Sequence, residues 1–190
     1  MKQVLCLFTF LMAISAAAQV RKLKVEPNHS TVGFRISISG FTAVTGKFTD
    51  YEIKMDWNDE EITASTIDAS IQAASINTGI PDRDDHLRTA DFFDVEKYPL
   101  ITFKSDSIQQ INYANYVAFG KFDMHGVSKN IELPFQIIKM DGHTIGFKSR
   151  TEINRLDHGI GAGFNHTSMP DFLAETIQVE IDFWTKKRKD

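Results

Sequence analysis

A single cysteine, Cys6, occurs in the 190 residues, and it lies inside the first apolar run. No intrachain disulfide can form, and beyond that run any nucleophile would have to be a serine or another hydroxyl. Long hydrophobic stretches are equally scarce. The longest, Val4 to Ile14, is too short for a comfortable membrane-spanning helix. An excess of positive charge is missing too: 21 Lys and Arg stand against 25 Asp and Glu, giving a net charge of −4. That balance argues against a nucleic-acid partner. The basic tail Lys186, Lys187, Arg188 and Lys189 leaves a transient contact with a membrane surface open, although a solvated terminus explains it as well. No internal repeat, low-complexity tract or linker divides the chain, so its length fits one domain with a substantial core.

The N-terminus has the layout of a secretory signal, with Lys2, the apolar run and then Ala16, Ala17 and Ala18 as a small-residue cleavage site. Residues 1–18 are expected to be removed, leaving a mature domain of residues 19–190 in the periplasm or outside the cell. Loss of Lys2 makes that domain one charge more acidic.

Alternation of apolar and polar residues dominates the rest. Val32, Phe34, Ile36 and Ile38 alternate with Gly33, Arg35, Ser37 and Ser39, the period of a half-buried strand. The same period runs through Tyr51 to Trp57, Ile67 to Ala73, Ile101 to Phe103, Val117 to Phe119, Ile131 to Ile137, Ile145 to Phe147 and Ile177 to Phe183. Turn residues separate these runs: Gly40, Asn58 with Asp59, Asn112 to Asn115, Gly126 and Asp141 with Gly142. An antiparallel barrel or a sandwich satisfies the pattern equally. Of the 15 phenylalanines, all but Phe8 and Phe10 lie beyond the leader, most on the apolar phase of a strand. A closed barrel of about eight strands has room for one small ligand, and an apolar guest would need such a lining.

One stretch breaks the period. In PDRDDHLRTADFFDVEKYPLITFKS, Pro81 suits a first helical position and Asp82, Asp84 and Asp85 suit the positive end of a helix. Spacing places Arg83, Leu87 and Ala90 on one face with His86 beside them, so a short helix is expected here, covering something. The loop from Asn154 to Leu173, with Gly159, Gly161 and Gly163, is long enough to serve as a lid.

Catalytic motifs are sparse. His29, His86, His125, His143, His158 and His166 invite a metal reading, but there is no HExxH and no pair at i, i+4. No GxSxG elbow exists, and Ser30 and His29 are strand neighbours facing opposite ways. GIGAGF, Gly159 to Phe164, lacks the strand-turn-helix setting of a dinucleotide site. No cofactor is expected.

Four blocks together resemble the YceI-like family of polyisoprenoid-binding, exported bacterial proteins. They are VEPNHSTVGFRI with VTGKF; INTGIPDRDDHLRTADFFDVEKYPLITFKS; GKFDMHGVSKNIELPF; and INRLDHGIG. Two positions depart, Ile38 where members often carry histidine and His158 where phenylalanine is common, which would make the lid loop more polar. The resemblance implies an all-β fold, an antiparallel eight-stranded lipocalin-like barrel with a short helix over one part. It implies non-catalytic carriage of a long-chain isoprenoid lipid, a polyprenyl phosphate or quinone-like molecule, in the barrel. On that reading Phe34, Phe48, Ile71, Phe103, Phe119, Phe135 and Phe147 line the interior, and His29, Arg83, His86, His125 and Arg155 are polar candidates near an opening. Arg83, Asp84 and His86 equally suit pinning the helix to the barrel. The rivals are a metal-assisted or lipid-modifying enzyme using His86 and His125, and an envelope stress protein that sequesters lipids. Homodimerisation stays open.

Overall fold

Alternating apolar residues become strands, and turn residues become the reversals between them. In chain order the elements are β1 (Val20–Val25), β2 (Thr31–Ile38), β3 (Thr42–Phe48), β4 (Tyr51–Asn58), β5 (Thr66–Gln72), β6 (Ile76–Asn77), α1 (Pro81–Arg88), β7 (Leu100–Gln110), β8 (Asn115–Met124), β9 (Val127–Met140), β10 (Ile145–Asn154) and β11 (Leu173–Lys187). This computed structural model describes residues 20–141, 144–166, 169 and 171–187. The leader assigned to residues 1–18, His143 and the end of the basic tail lie outside the described residues.

The strand segments form eight staves of one closed antiparallel barrel. β1 and β2 are two halves of one bent strand, interrupted at Pro27, whose ring removes a ladder donor. β3 and β4 form the second stave and β5 and β6 the third. The first two staves pair along both halves, Leu23 opposite Met55 and Phe34 opposite Gly46. β11 then pairs with both halves of the first stave, Thr185 opposite Val25 and Ile181 opposite Val32. That contact closes the ring by pairing the first and last staves, whose free edges would otherwise invite aggregation. The eight-stranded barrel expected from the family likeness is therefore what the chain forms, and the sandwich is not.

The end of the barrel holding β1, β4 and the start of β10 is solid. Trp57, only 1% exposed, meets Tyr116 at 5.7 Å and Phe147 at 6.1 Å, and Phe135 stacks on Tyr116 at 5.3 Å. Such aromatic pairs contribute about 0.5–1.5 kcal/mol each beyond their burial. The indole N–H of Trp57 donates to Asp59 at 3.0 Å, so the layer leaves no stranded donor there.

Two expectations need correction. On β8 the inward phase is Tyr116, Ala118, Gly120, Phe122 and Met124, which are buried, so Val117 and Phe119 lie on the outer phase with Lys121. The segment is apolar on both phases, and Phe122 and Met124 settle the direction by filling the interior. Gly120 holds β8 close against β7: a methyl group on it would stand 2.3 Å from the carbonyl oxygen of Lys104, beside the bulge between Ser105 and Ser107. The helix is also shorter than its stripe. Thr89 turns to extended geometry, and its N–H and hydroxyl both donate to the carbonyl of His86 at 3.1 and 2.8 Å, leaving Ala90 outside α1.

Candidate functional site: an apolar chamber beneath the helix

Above the aromatic layer the barrel is hollow. A cavity of about 670 Å³ fills the end bounded by β2, β3 and the start of β11, within the roughly 300–1,000 Å³ typical of sites that engulf a small ligand. Its walls are strand residues such as Ile36, Ile101 and Val179, and its roof is α1, Phe92 with Phe93, and the loop that carries Ile160 and Phe164. Rings knit wall to roof. Phe34 lies 6.0 Å from Phe48, Phe48 lies 5.9 Å from Phe93, and Phe92 lies 5.2 Å from Phe164.

The roof is pinned by polar contacts to the segment before it. Thr78 donates its N–H at 2.8 Å and its hydroxyl to the Asp84 carboxylate, which is 5% exposed. Arg83 in turn donates to the hydroxyl of Thr78 at 2.7 Å and to its carbonyl at 3.0 Å. Arg88 reaches back to the carbonyls of Ala74 and Ile76. Arg83 and Asp84 thus do hold the helix down, and Arg83 faces the chamber while doing so.

Of the residues picked from the sequence, Phe34, Phe48, Ile71, Phe103, Arg83, His86 and Arg155 come together around the chamber. The others do not. Phe135 and Phe147 are buried one layer below, in the solid end, 5.7 Å from each other. Phe119 lies on the outer phase of its strand. His29 is exposed on the bend between β1 and β2. His125 occupies the β8–β9 turn at φ 53, where its Nδ1 donates to the carbonyl of His158 at 2.8 Å and its ring lies 4.6 Å from Tyr98. Phe92, Phe93, Phe164 and Phe172 belong to the lining and were not assigned to it from sequence; the doubled phenylalanine after the helix was the available signal.

Among the described residues three ionisable side chains line the chamber, Arg83, His86 and Arg155, and no acid does. Arg155 is 6% exposed and spends its donors on backbone carbonyls of Ala174, Ile160, Gly161 and Leu173, at 2.8 to 3.2 Å. Burial pulls its pKa down from the usual arginine range, with the charge of Glu175 acting against it. His86 sits at the rim, its Nε2 3.1 Å from Asp91 and its ring 5.1 Å from Phe92 and 5.8 Å from Phe164. His158, expected to make the lid more polar, is instead 2% exposed, packed 5.4 Å from Phe122 with its Nδ1 donating to the carbonyl of Met124 at 3.3 Å. Among the described residues no three of His, Cys, Asp and Glu converge as metal ligands.

The mouth has a structural cause. β3 pairs with β6 only at Lys47 and Phe48, so its first residues, Thr42 to Gly46, have β2 on one side and, among the described residues, no strand on the other. A closed β-barrel with one packed end and one apolar chamber defines the class: a lipocalin-like barrel. The chain belongs to the YceI-like family, whose domain matches residues 23–184. A UPF0312 protein of Pseudomonas putida strain F1 is 30% identical over 184 residues, covering 94% of this chain and 92% of that protein. Among solved structures, a YCEI protein of Campylobacter jejuni is 28% identical with a TM-score of 0.68, over 78% of this chain and 88% of that one. BcnA of Burkholderia cenocepacia shares the fold at a TM-score of 0.77 and 20% identity, over 84% of this chain and 98% of that one. So does a polyisoprenoid binding domain from Saccharophagus degradans, at 0.70 and 17%, over 87% of this chain and 98% of that one.

Proposed function

We propose that this protein is a non-catalytic carrier that encloses the chain of one isoprenoid amphiphile in the chamber and keeps its head group at the mouth. The observation that carries the proposal is the cavity of about 670 Å³, apolar and with an ionisable lining that among the described residues is entirely basic. Each enclosed methylene gains about 0.8 kcal/mol on leaving water, so ten supply roughly 8 kcal/mol before the cost of association. The polar groups then need only choose the head. With Arg83, His86 and Arg155 on the wall and no carboxylate, a phosphate or a quinone-type oxygen is favoured over a cationic head. The family and the polyisoprenoid-binding relative of the same fold support a lipid ligand. His86 and His125 are each held by a separate partner, an arrangement that suits positioning rather than shared proton transfer.

The leader fits a carrier working in the periplasm or outside the cell, and the N-terminus of protein recovered from its host is expected at Gln19. Binding is tested by titrating mature protein with a fluorescent prenyl phosphate. Saturable one-to-one binding is expected, weakened about tenfold or more by Phe103→Asp, which puts a charge on an apolar wall, and by Val179→Trp, which fills the space without polarity. Equal binding by wild type and the folded Val179→Trp variant would remove the chamber as the site.

A further inference from the structure

Two loops beside the chamber are poor in charge and carry exposed apolar side chains. Between Arg35 and Lys47 the chain carries no acid or base at all, and between Asp157 and Asp171 it carries only the histidines 158 and 166, in a protein whose charged fraction is 24%. The first gap is the β2–β3 hairpin and the second is the lid loop, and they meet: Ser39 donates its N–H to the carbonyl of Phe172 at 2.8 Å and its hydroxyl to the sulfur of Met169 at 3.7 Å. Three separate segments of this rim each raise an apolar side chain into water. Phe41 at the hairpin tip is 84% exposed, Ile80 ahead of α1 is 49% exposed, and Met169 is 42% exposed. Ile80 belongs to the same rim because Thr78, two residues before it, abuts β3 at Gly46.

Single exposed apolar residues mean nothing by themselves. Their convergence around two loops without Asp, Glu, Lys or Arg, continuous with an apolar chamber, does, although Ile80 leads into the exposed acids Asp82 and Asp85 of α1. Arg35 and Lys47 bracket the hairpin, both are exposed, and among the described residues neither has an ion-pair partner within reach. Apolar tip, then cations set back from it, is the charge order that complements a bilayer, with hydrocarbon outermost and phosphates behind.

We infer that the β2–β3 hairpin, with Phe41 at its tip, docks on an anionic lipid bilayer so that cargo passes between membrane and chamber through the gap beside Thr42 to Gly46. The inference rests on the carrier reading and adds the partner and the route. Phe41 is so exposed that its replacement leaves folding intact. Flotation with phosphatidylcholine vesicles, with and without phosphatidylglycerol, reads docking, and transfer of a dansyl prenyl phosphate from those vesicles reads the route. Phe41→Asp is expected to lower vesicle binding and transfer rate about tenfold, the worth of one inserted aromatic side chain. Arg35→Glu with Lys47→Glu is expected to abolish the added binding that phosphatidylglycerol brings. Uptake of a short prenyl phosphate from free solution stays unchanged in both variants. Docking that depends on Phe41 without any such uptake would keep the surface and discard the cargo. Transfer by Phe41→Asp at the wild-type rate would overturn the inference, as would a Phe41-dependent dimer that ignores vesicles.

Discussion

His158 occupies a position that is buried to 2% exposure and packed on Phe122, so its neutral form is favoured and its pKa lies below the ordinary value near 6.5. Desolvation is the leading cause, with the carbonyl of Met124 acting in the opposite sense. The unfolded chain therefore binds the proton more tightly than the native one, and stability is full above about pH 6.5 and falls as the solution is acidified through the lowered native pKa. Thermal unfolding between pH 7 and 5 is expected to show this loss, and His158→Phe is expected to flatten it; an unaltered pH profile in that variant would assign the loss elsewhere. Gly46 makes a second prediction. A methyl group there would sit 2.3 Å from the ring of Phe34 and 2.9 Å from Thr78. The ring has the empty chamber to swing into, so Gly46→Ala is expected to cost the fold less than the 1–3 kcal/mol usual for overpacking while cutting ligand affinity more severely. Calorimetry and titration of the same variant separate the two effects. Residue identity was legible from sequence where a charge marked the outer phase, as Glu52, Lys54 and Asp56 do on β4. On β8 the run from Tyr116 to Phe119 carried no such mark, and Phe119 was assigned to the wrong side.

Among the elements, α1 is held less by its own sequence than by Thr78. One hydroxyl donates to Asp84 and accepts from Arg83, so Thr78→Val removes one hydrogen bond from a buried carboxylate and one from an arginine at once, leaving each only its bond to the Thr78 backbone from this residue. The expected cost is about 1–3 kcal/mol, and because the helix is the roof, release of a bound prenyl phosphate should accelerate in stopped-flow displacement. Unchanged release from a destabilised Thr78→Val protein would mean that the helix does not gate the chamber. The start of this helix was readable, since Pro81 and the acids after it name a helix N-terminus. Its end was not, because it depends on Thr89 folding back on His86 rather than on a glycine. Strand positions were legible for the same reason that the helix start was: the signal is local. Which phenylalanines line the chamber and which fill the solid end depends on height along the barrel, which a period of two does not encode. Phe103 and Phe135 look alike in sequence and end in different layers.

At the scale of the whole molecule, closure joins residues 160 and 149 positions apart, Val25 to Thr185 and Val32 to Ile181. No local pattern specifies such a pairing, which is why alternation alone left barrel and sandwich equal and the family likeness decided between them. The barrel is then divided by its own side chains: Trp57, Tyr116, Phe135 and Phe147 fill one end, and the other is walled mainly by apolar residues, with no acid among the described ones. A protein that needed only stability would gain by filling both ends, since each buried large side chain contributes about 1.5–3 kcal/mol. The hollow end is therefore best understood as retained for an occupant. The most direct test is organic-solvent extraction and mass spectrometry of untagged protein purified from its native host. The account predicts recovery of a prenyl lipid at close to one molecule per chain, lost from the Val179→Trp variant; repeated recovery of none from the wild type, or equal recovery from both proteins, would contradict it.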